Sequence, residues 1–199
     1  MTTPSYFIAD EDAFCRLRAG LESSVRPDIR LPKVPFQQAF RVFGFEDFDW
    51  AMSGEFWSVL HKLASQSRDH ELVFAVLDPD RVNYFKAEFG YYNWAILPVT
   101  LSSDEYWNFL NSAPAESPAD SLLGNAQVVV LTVPSKEWAI WGERESGLCV
   151  LASAHGDMVP AWNNLDWVIG LHRTEDWAAF SSVLAQQFES PASSDSPQS

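Results

Sequence analysis

Apolar residues recur at three and four residue steps in four stretches of the chain, and that spacing predicts helices. After Ser53, the positions Phe56, Trp57, Leu60, Leu63 and Ala64 make one stripe, with His61, Lys62 and Ser65 off it. Ser102-Ser103-Asp104-Glu105 fits a capping box ahead of Tyr106, Trp107, Phe109 and Leu110, because a serine hydroxyl and a glutamate three residues on can each satisfy the other's backbone N–H. After Thr174, Glu175 and Asp176 suit the positive end of a helix dipole, and Trp177, Phe180, Val183, Leu184 and Phe188 form the expected buried face. A weaker stripe, Phe14, Leu17 and Leu21, runs from Glu11 to Leu21.

Continuous apolar runs mark strands. Leu72–Leu77 and Trp94–Val99 flank a segment from Val82 to Phe89 that reads as a short helix or a strand. Val128–Val133, Glu137–Trp141 and Leu148–Ala152 follow one another about ten residues apart, too close for the crossover helices that parallel neighbours need, so they predict an antiparallel meander. The expected fold class is α+β: a single domain over residues 1–189, with a mainly antiparallel sheet packed by about four helices. Pro27, Pro32 and Pro35 break the chain after the first helix. The segment 112–121, with two prolines and small polar residues, reads as a surface loop, and residues 190–199, which lack any large apolar side chain, read as a disordered tail.

Charge changes the picture more than length does. The chain has 27 Asp and Glu against 13 Lys and Arg, a formal charge of −14, which disfavours nucleic acid and anionic membrane surfaces as partners. From residue 101 onward there are thirteen acids but only Lys136, Arg144 and Arg173, together with six of the nine tryptophans. Folding does not require that imbalance, so it speaks of solubility and of a positively charged partner. No apolar run approaches a membrane span and no signal-like segment opens the chain, so the expected location is cytoplasmic. Cys15 and Cys149 are read as two free thiols in a reducing compartment.

Catalytic signatures do not accompany these features. The four histidines lack metal-ligand spacing with Cys or with one another, and Gly-x-Ser-x-Gly is absent, so no catalytic residue, metal or cofactor is expected. Ala154-His155-Gly156-Asp157 alone places an imidazole and a carboxylate in a glycine-containing loop, which an ordinary turn also explains. Asp78-Pro79-Asp80 has too few oxygen donors for a hard cation and reads as a proline turn followed by a helix cap. Trp138 and Trp141, three apart on a strand, should face opposite sides of the sheet, one in the core and the other covering a second helix or partly open.

The expected function is a non-enzymatic protein-binding module that engages a basic partner. Acidic and aromatic runs at Asp10–Asp12, Glu46–Trp50 and Asn163–Trp167, with the turn Glu143-Arg144-Glu145, supply the candidate surface: Asp47, Asp49, Trp50, Glu143, Arg144, Glu145, Trp162, Asp166 and Trp167. In size, acidity, single α+β domain and lack of catalytic motifs, the profile is similar to bacterial immunity or antitoxin-type proteins. The alternatives are a homo-oligomer subunit that buries its surplus rings in an interface, and an enzyme or small-ligand binder with an aromatic pocket near His155 and Asp157.

Overall fold

In the computed structural model, residues 6–37, 39–79, 82–114, 117–158, 161–171 and 174–189 are described, and all structural statements below concern them. The expected tail at 190–199 lies outside them, as do Ala115 and Glu116 of the loop and Asp80 of the proline turn. The order is α1 (Glu11–Glu22), β1 (Val42–Asp47), α2 (Phe48–Ala51), α3 (Trp57–Ser67), β2 (Glu71–Asp78), α4 (Val82–Phe89), β3 (Trp94–Pro98), α5 (Ser103–Leu110) and α6 (Leu122–Asn125). It continues with β4 (Val128–Thr132), β5 (Trp138–Glu143), β6 (Leu148–Ser153), α7 (Leu165–Leu171) and α8 (Ala178–Phe188).

Six strands form one sheet in the order β1-β6-β5-β4-β2-β3, and every neighbouring pair is antiparallel. The expected meander is β4-β5-β6, with Val130 opposite Trp141 and Trp141 opposite Val150. Helices cover both faces, which is why β4, β5 and β6 are buried at every position instead of alternating with polar residues. On one face Trp138 and Ile140 meet Trp57, Leu60 and Leu63 of α3 and Tyr106 and Phe109 of α5. On the other, Ala139 and Trp141 meet Phe14 and Leu21 of α1, the proline-containing connection through Leu31 and Phe36, and Leu184 and Phe188 of α8.

The edges are occupied. Tyr6, Phe7 and Ile8 run along β3, with Ile8 N–H donating to the Trp94 carbonyl at 2.9 Å and Ile96 N–H to that of Tyr6 at 3.0 Å. Beside β1, Phe45 and Asn163 exchange both backbone hydrogen bonds, at 2.9 and 3.1 Å. Pairing these peptide groups within the chain withdraws them from the template that an open strand edge would offer.

α1, α3, α5 and α8 match the helices predicted from periodicity, and the Ser102–Glu105 capping box is present, with the Glu105 carboxylate accepting the Ser102 N–H at 2.8 Å. The helical inventory is larger than expected: Val82–Phe89 resolves as α4, and the short α2, α6 and α7 are additional. Val42–Asp47 forms a strand that the apolar pattern did not predict, since Gly44 interrupts it and acids close it. Val183 of α8 is exposed, and Phe180 and Trp177, which just precedes the helix, are only partly buried, so the expected inward stripe narrows to Leu184 and Phe188.

Candidate binding surface

All three acidic runs open helices. Asp10 Oδ1 accepts the Ala13 N–H at 2.7 Å at the start of α1, and Asp47 Oδ1 accepts those of Asp49 and Trp50 at 2.8 and 3.1 Å at the start of α2. Asn164 Oδ1 accepts the Trp167 N–H at 3.1 Å, with Asp166 in the first turn of α7. Such oxygens satisfy N–H groups that have no partner inside the helix, so part of the acid enrichment has a local structural cause.

The start of α2 lies beside the β5–β6 turn. Asp47 and Glu143 both stand opposite Leu148, from the two sides of β6, and Phe48 N–H donates to the Gly147 carbonyl at 2.9 Å. Gly147 closes the turn at φ +66°, a conformation in which a side chain would be strained. Arg144 leaves this turn to bind backbone: its Nε and Nη2 donate to the carbonyls of Ala126 and Leu123 at 3.0 and 2.7 Å. Its guanidinium also lies 4.9 Å from the Phe48 ring centroid and 3.8 Å from Asp49 Oδ1. Arg144 therefore pairs with a distant acidic element, not with Glu143 or Glu145, and its hydrogen-bonding capacity is directed at the end of α6. Asp47, Asp49 and Glu145 are exposed around it.

Glu143 departs from its expected place on the turn. It is the last residue of β5 and only 7% exposed, and its Oε2 accepts the Trp141 indole N–H and the Leu31 backbone N–H, each at 3.1 Å. Burial pushes its carboxyl above the usual range, against the opposing effects of these two donors and of nearby Arg30, while Glu145 adds to the rise. Glu143 lines a cleft of about 420 Å³ with Arg30, Asp78, Glu145, Trp177 and Phe180. Arg30 sits 5.6 Å from the Trp141 ring centroid, 3.9 Å from Asp78 Oδ2, and donates to the carbonyls of Pro27 and Ile29. It also borders a second, smaller cavity of about 150 Å³ beside Phe14 and Trp94. Arg30, Trp177 and Phe180 were not singled out by sequence, because a lone arginine between prolines and two rings on a helical stripe carry no chemical signal of their own.

The three candidate tryptophans divide between the two faces. Trp50 and Trp162 both meet Phe56, with ring centroids at 5.0 and 6.0 Å, and are half-buried against the α3 side. Trp167 packs partly buried against the α8 side, and Asp166 is exposed near it. Trp162 and Trp167 thus pack against different faces of the sheet. What the fold does bring together is Asp47, Asp49, Arg144 and Glu145 at one end of the sheet, with the Glu143 cleft beside them. Near Trp162, Asn163 Nδ2 donates to Glu46 Oε1 at 2.9 Å, and burial raises the Glu46 pKa.

His155 and Asp157 are exposed, and no hydrogen bond joins them. Only the His155 backbone is engaged, its N–H donating to Ser153 Oγ at 3.0 Å and its carbonyl accepting from it at 2.9 Å. His61 and His70 are exposed, and His172 lies outside the described residues. Among the described residues no three His, Cys, Asp or Glu side chains converge as a metal site, and no helix is long and apolar enough to cross a membrane. Cys15 is exposed, Cys149 is buried, and they are not bridged.

These features define a single α+β domain: an antiparallel sheet between two helical layers, with an acidic end and an aromatic-walled cleft. No protein-family model, curated protein or solved structure matches the chain.

Proposed function

We propose that this chain is a non-enzymatic protein-binding module that captures a positively charged protein, in the manner of an acidic immunity or antitoxin-type protein. The observation that carries the reading is the gathering of exposed Asp47, Asp49 and Glu145 on two adjoining elements around Arg144, whose guanidinium donates to the α6 carbonyls. Carboxylates grouped in this way speed encounter with a basic surface and exclude acidic ones. Half-buried Trp50 beside them offers the rigid ring that such interfaces use as an anchor. On this reading the protein works in the cytoplasm, and its unbridged thiols suit a reducing compartment.

The test begins with recovery of the partner by pull-down and mass spectrometry. Affinity is then measured for Asp47→Asn/Asp49→Asn, which keeps an oxygen at the α2 cap, and for Glu88→Lys/Asp104→Lys on α4 and α5 as a control. Loss of about tenfold or more at low salt in the first variant, narrowing as salt rises, is expected. An acidic partner, or equal affinities for the first variant and the parent chain, overturns the proposal.

A homo-oligomer remains the competing reading, and it has exposed Trp107 on α5 and Leu171 on α7 in its favour. Light scattering separates the two, because a monomer at all accessible concentrations removes the oligomer.

A further inference from the structure

The tryptophans divide by what their indole N–H groups do. Trp57, Trp94, Trp138 and Trp141 are buried, and each donates to an acceptor inside the protein: the Leu101 carbonyl, the Val76 carbonyl, Ser67 Oγ and Glu143 Oε2. Trp50, Trp107 and Trp162 have no such acceptor among the described residues. Trp107 is 43% exposed, and the N–H groups of half-buried Trp50 and Trp162 are not among the buried polar atoms that lack a partner, so solvent reaches all three rings. Trp167 also lacks an acceptor there, but it packs on the other face of the sheet.

The three rings are set on one helical turn, Gly54–Phe56. Trp50 and Trp162 both meet the buried Phe56 ring edge-to-face, at interplanar angles of 77° and 78°. At Gly54 a Cβ would lie 3.1 Å from Trp107 Cβ and 3.3 Å from the Ser103 carbonyl, so the missing side chain is what lets the turn close on α5 at the foot of Trp107. The stretch Phe48–Ser58, which carries this turn and Trp50, contains exposed Asp49 and Glu55 and no Lys or Arg. Asp49 lies 3.8 Å from Arg144, whereas Glu55 has no ion pair among the described residues.

We propose that Trp50, Trp107 and Trp162 around the Gly54–Phe56 turn form the docking surface for a loop of the basic partner, one that carries Lys or Arg and whose backbone carbonyls accept the indole N–H groups. The assignment rests on the protein-binding reading above and extends it from steering charges to the contact surface itself. Lys and Arg side chains are donors only, so they pair with Glu55 and Asp49 but cannot serve the indoles. The acceptors must come from the backbone beside them. Peptide carbonyls are free for this in an irregular loop, whereas a helix or sheet uses its own. The rings supply large, rigid contact area at little cost in side-chain freedom, and the stems of Lys and Arg lie readily on their faces. A second copy of the chain fits the surface less well, because it brings a formal charge of −14 against another of −14.

The full chain is titrated with the unstructured peptide acetyl-Gly-Lys-Gly-Arg-Gly-Lys-Gly-amide while the nine indole N–H resonances are followed by NMR. Saturable downfield shifts of the Trp50, Trp107 and Trp162 indoles are expected, with those of Trp57, Trp94, Trp138 and Trp141 unmoved. Spermine, which carries positive charge but no carbonyl, and the same peptide with Glu in place of Lys and Arg should not reproduce them. Trp107→Phe keeps a ring at an exposed position and removes only the N–H, and its affinity for the basic peptide is expected to fall about threefold to tenfold. Glu55→Gln, also exposed, weakens binding to an extent that narrows as salt rises. Absence of saturable shifts at the three indoles, an equal response to spermine, or an unchanged affinity in Trp107→Phe overturns the docking surface. So does light scattering that shows a dimer whose formation moves the same three resonances, since a second copy then covers them. The recovered partner separates the two proposals: if its affinity falls for Asp47→Asn/Asp49→Asn but not for Trp107→Phe, the protein-binding reading stands and the docking surface is overturned.

Discussion

Trp138 and Trp141 stand three residues apart on β5, face opposite sides of the sheet, and donate their indole N–H groups to different partners, Ser67 Oγ at 3.2 Å and Glu143 Oε2 at 3.1 Å. Neither ring has measurable exposure. The sequence predicted opposite faces and, for the second ring, either cover by a further helix or partial opening; cover is what forms, because helices lie on both sides of the sheet and leave neither indole for a partner. Each indole N–H instead needs an acceptor inside the protein, and these two acceptors are where the core is most sensitive to small changes.

Removing the Ser67 hydroxyl strands the Trp138 N–H in the core. The single Ser67 hydroxyl proton has three acceptors in reach, Asp69 Oδ2 at 2.5 Å and the Leu63 and Ala64 carbonyls at 3.2 and 3.3 Å. Ser67→Ala is expected to cost about 1–3 kcal/mol in chemical denaturation, most of it from the unsatisfied donor. In a double-mutant cycle, Ser67→Ala should cost less in a Trp138→Phe background, where no indole N–H remains.

Glu143 makes stability depend on pH in a definite direction. Its folded pKa is raised, so its contribution is fully present below the ordinary carboxylate range and is lost as pH rises through the folded value. Glu143→Gln keeps an acceptor for Leu31 and Trp141 and does not ionise. Denaturation midpoints of the parent chain, relative to those of the variant, should therefore fall as pH is raised from about 4 to about 8. A constant difference across that range would show that Glu143 does not titrate differently on folding.

Arg144 holds the end of α6 through two backbone carbonyls. Arg144→Ala is expected to cost about 1–3 kcal/mol and to speed amide exchange in residues 122–126. Asp49→Ala should cost less than about 1 kcal/mol, because its carboxylate is 86% exposed and 3.8 Å from the guanidinium. Similar costs for the two would mean that the ion pair, not the carbonyl contacts, is what matters.

The thiols should react at very different rates. Cys15 is exposed on α1, while Cys149 is fully buried on β6, and burial, followed by neighbouring Glu46 and Asp47, pushes its thiol well above the usual range. A disulfide reagent should label one thiol in the native protein and both after denaturation, since only an accessible thiolate attacks. Rapid labelling of both under native conditions would contradict the packing of β6.

The hydrophobic pattern is what made α3, α5, α8 and the β4-β5-β6 meander legible. Helix faces and strand runs are written at separations of a few residues, and the capping box at Ser102 and Glu105 is closed within one turn. The acidic runs were legible as composition but not as role. Asp10 and Asp47 read as surface charge until α1 and α2 were seen to begin at them.

Composition and local periodicity by themselves determined the α+β class, most of the elements and the acidic balance. Tertiary structure alone decided that β1 pairs with β6, that Trp162 and Trp167 fall on different faces, and that Glu143 lies inside while Glu145 lies outside. The reason is distance along the chain. The backbone N–H that holds the Glu143 carboxylate comes from Leu31, 112 residues earlier, within the connection that Pro27, Pro32 and Pro35 break. Whether a charged residue is solvated or buried depends on what long-range packing places over it, and no local pattern records that.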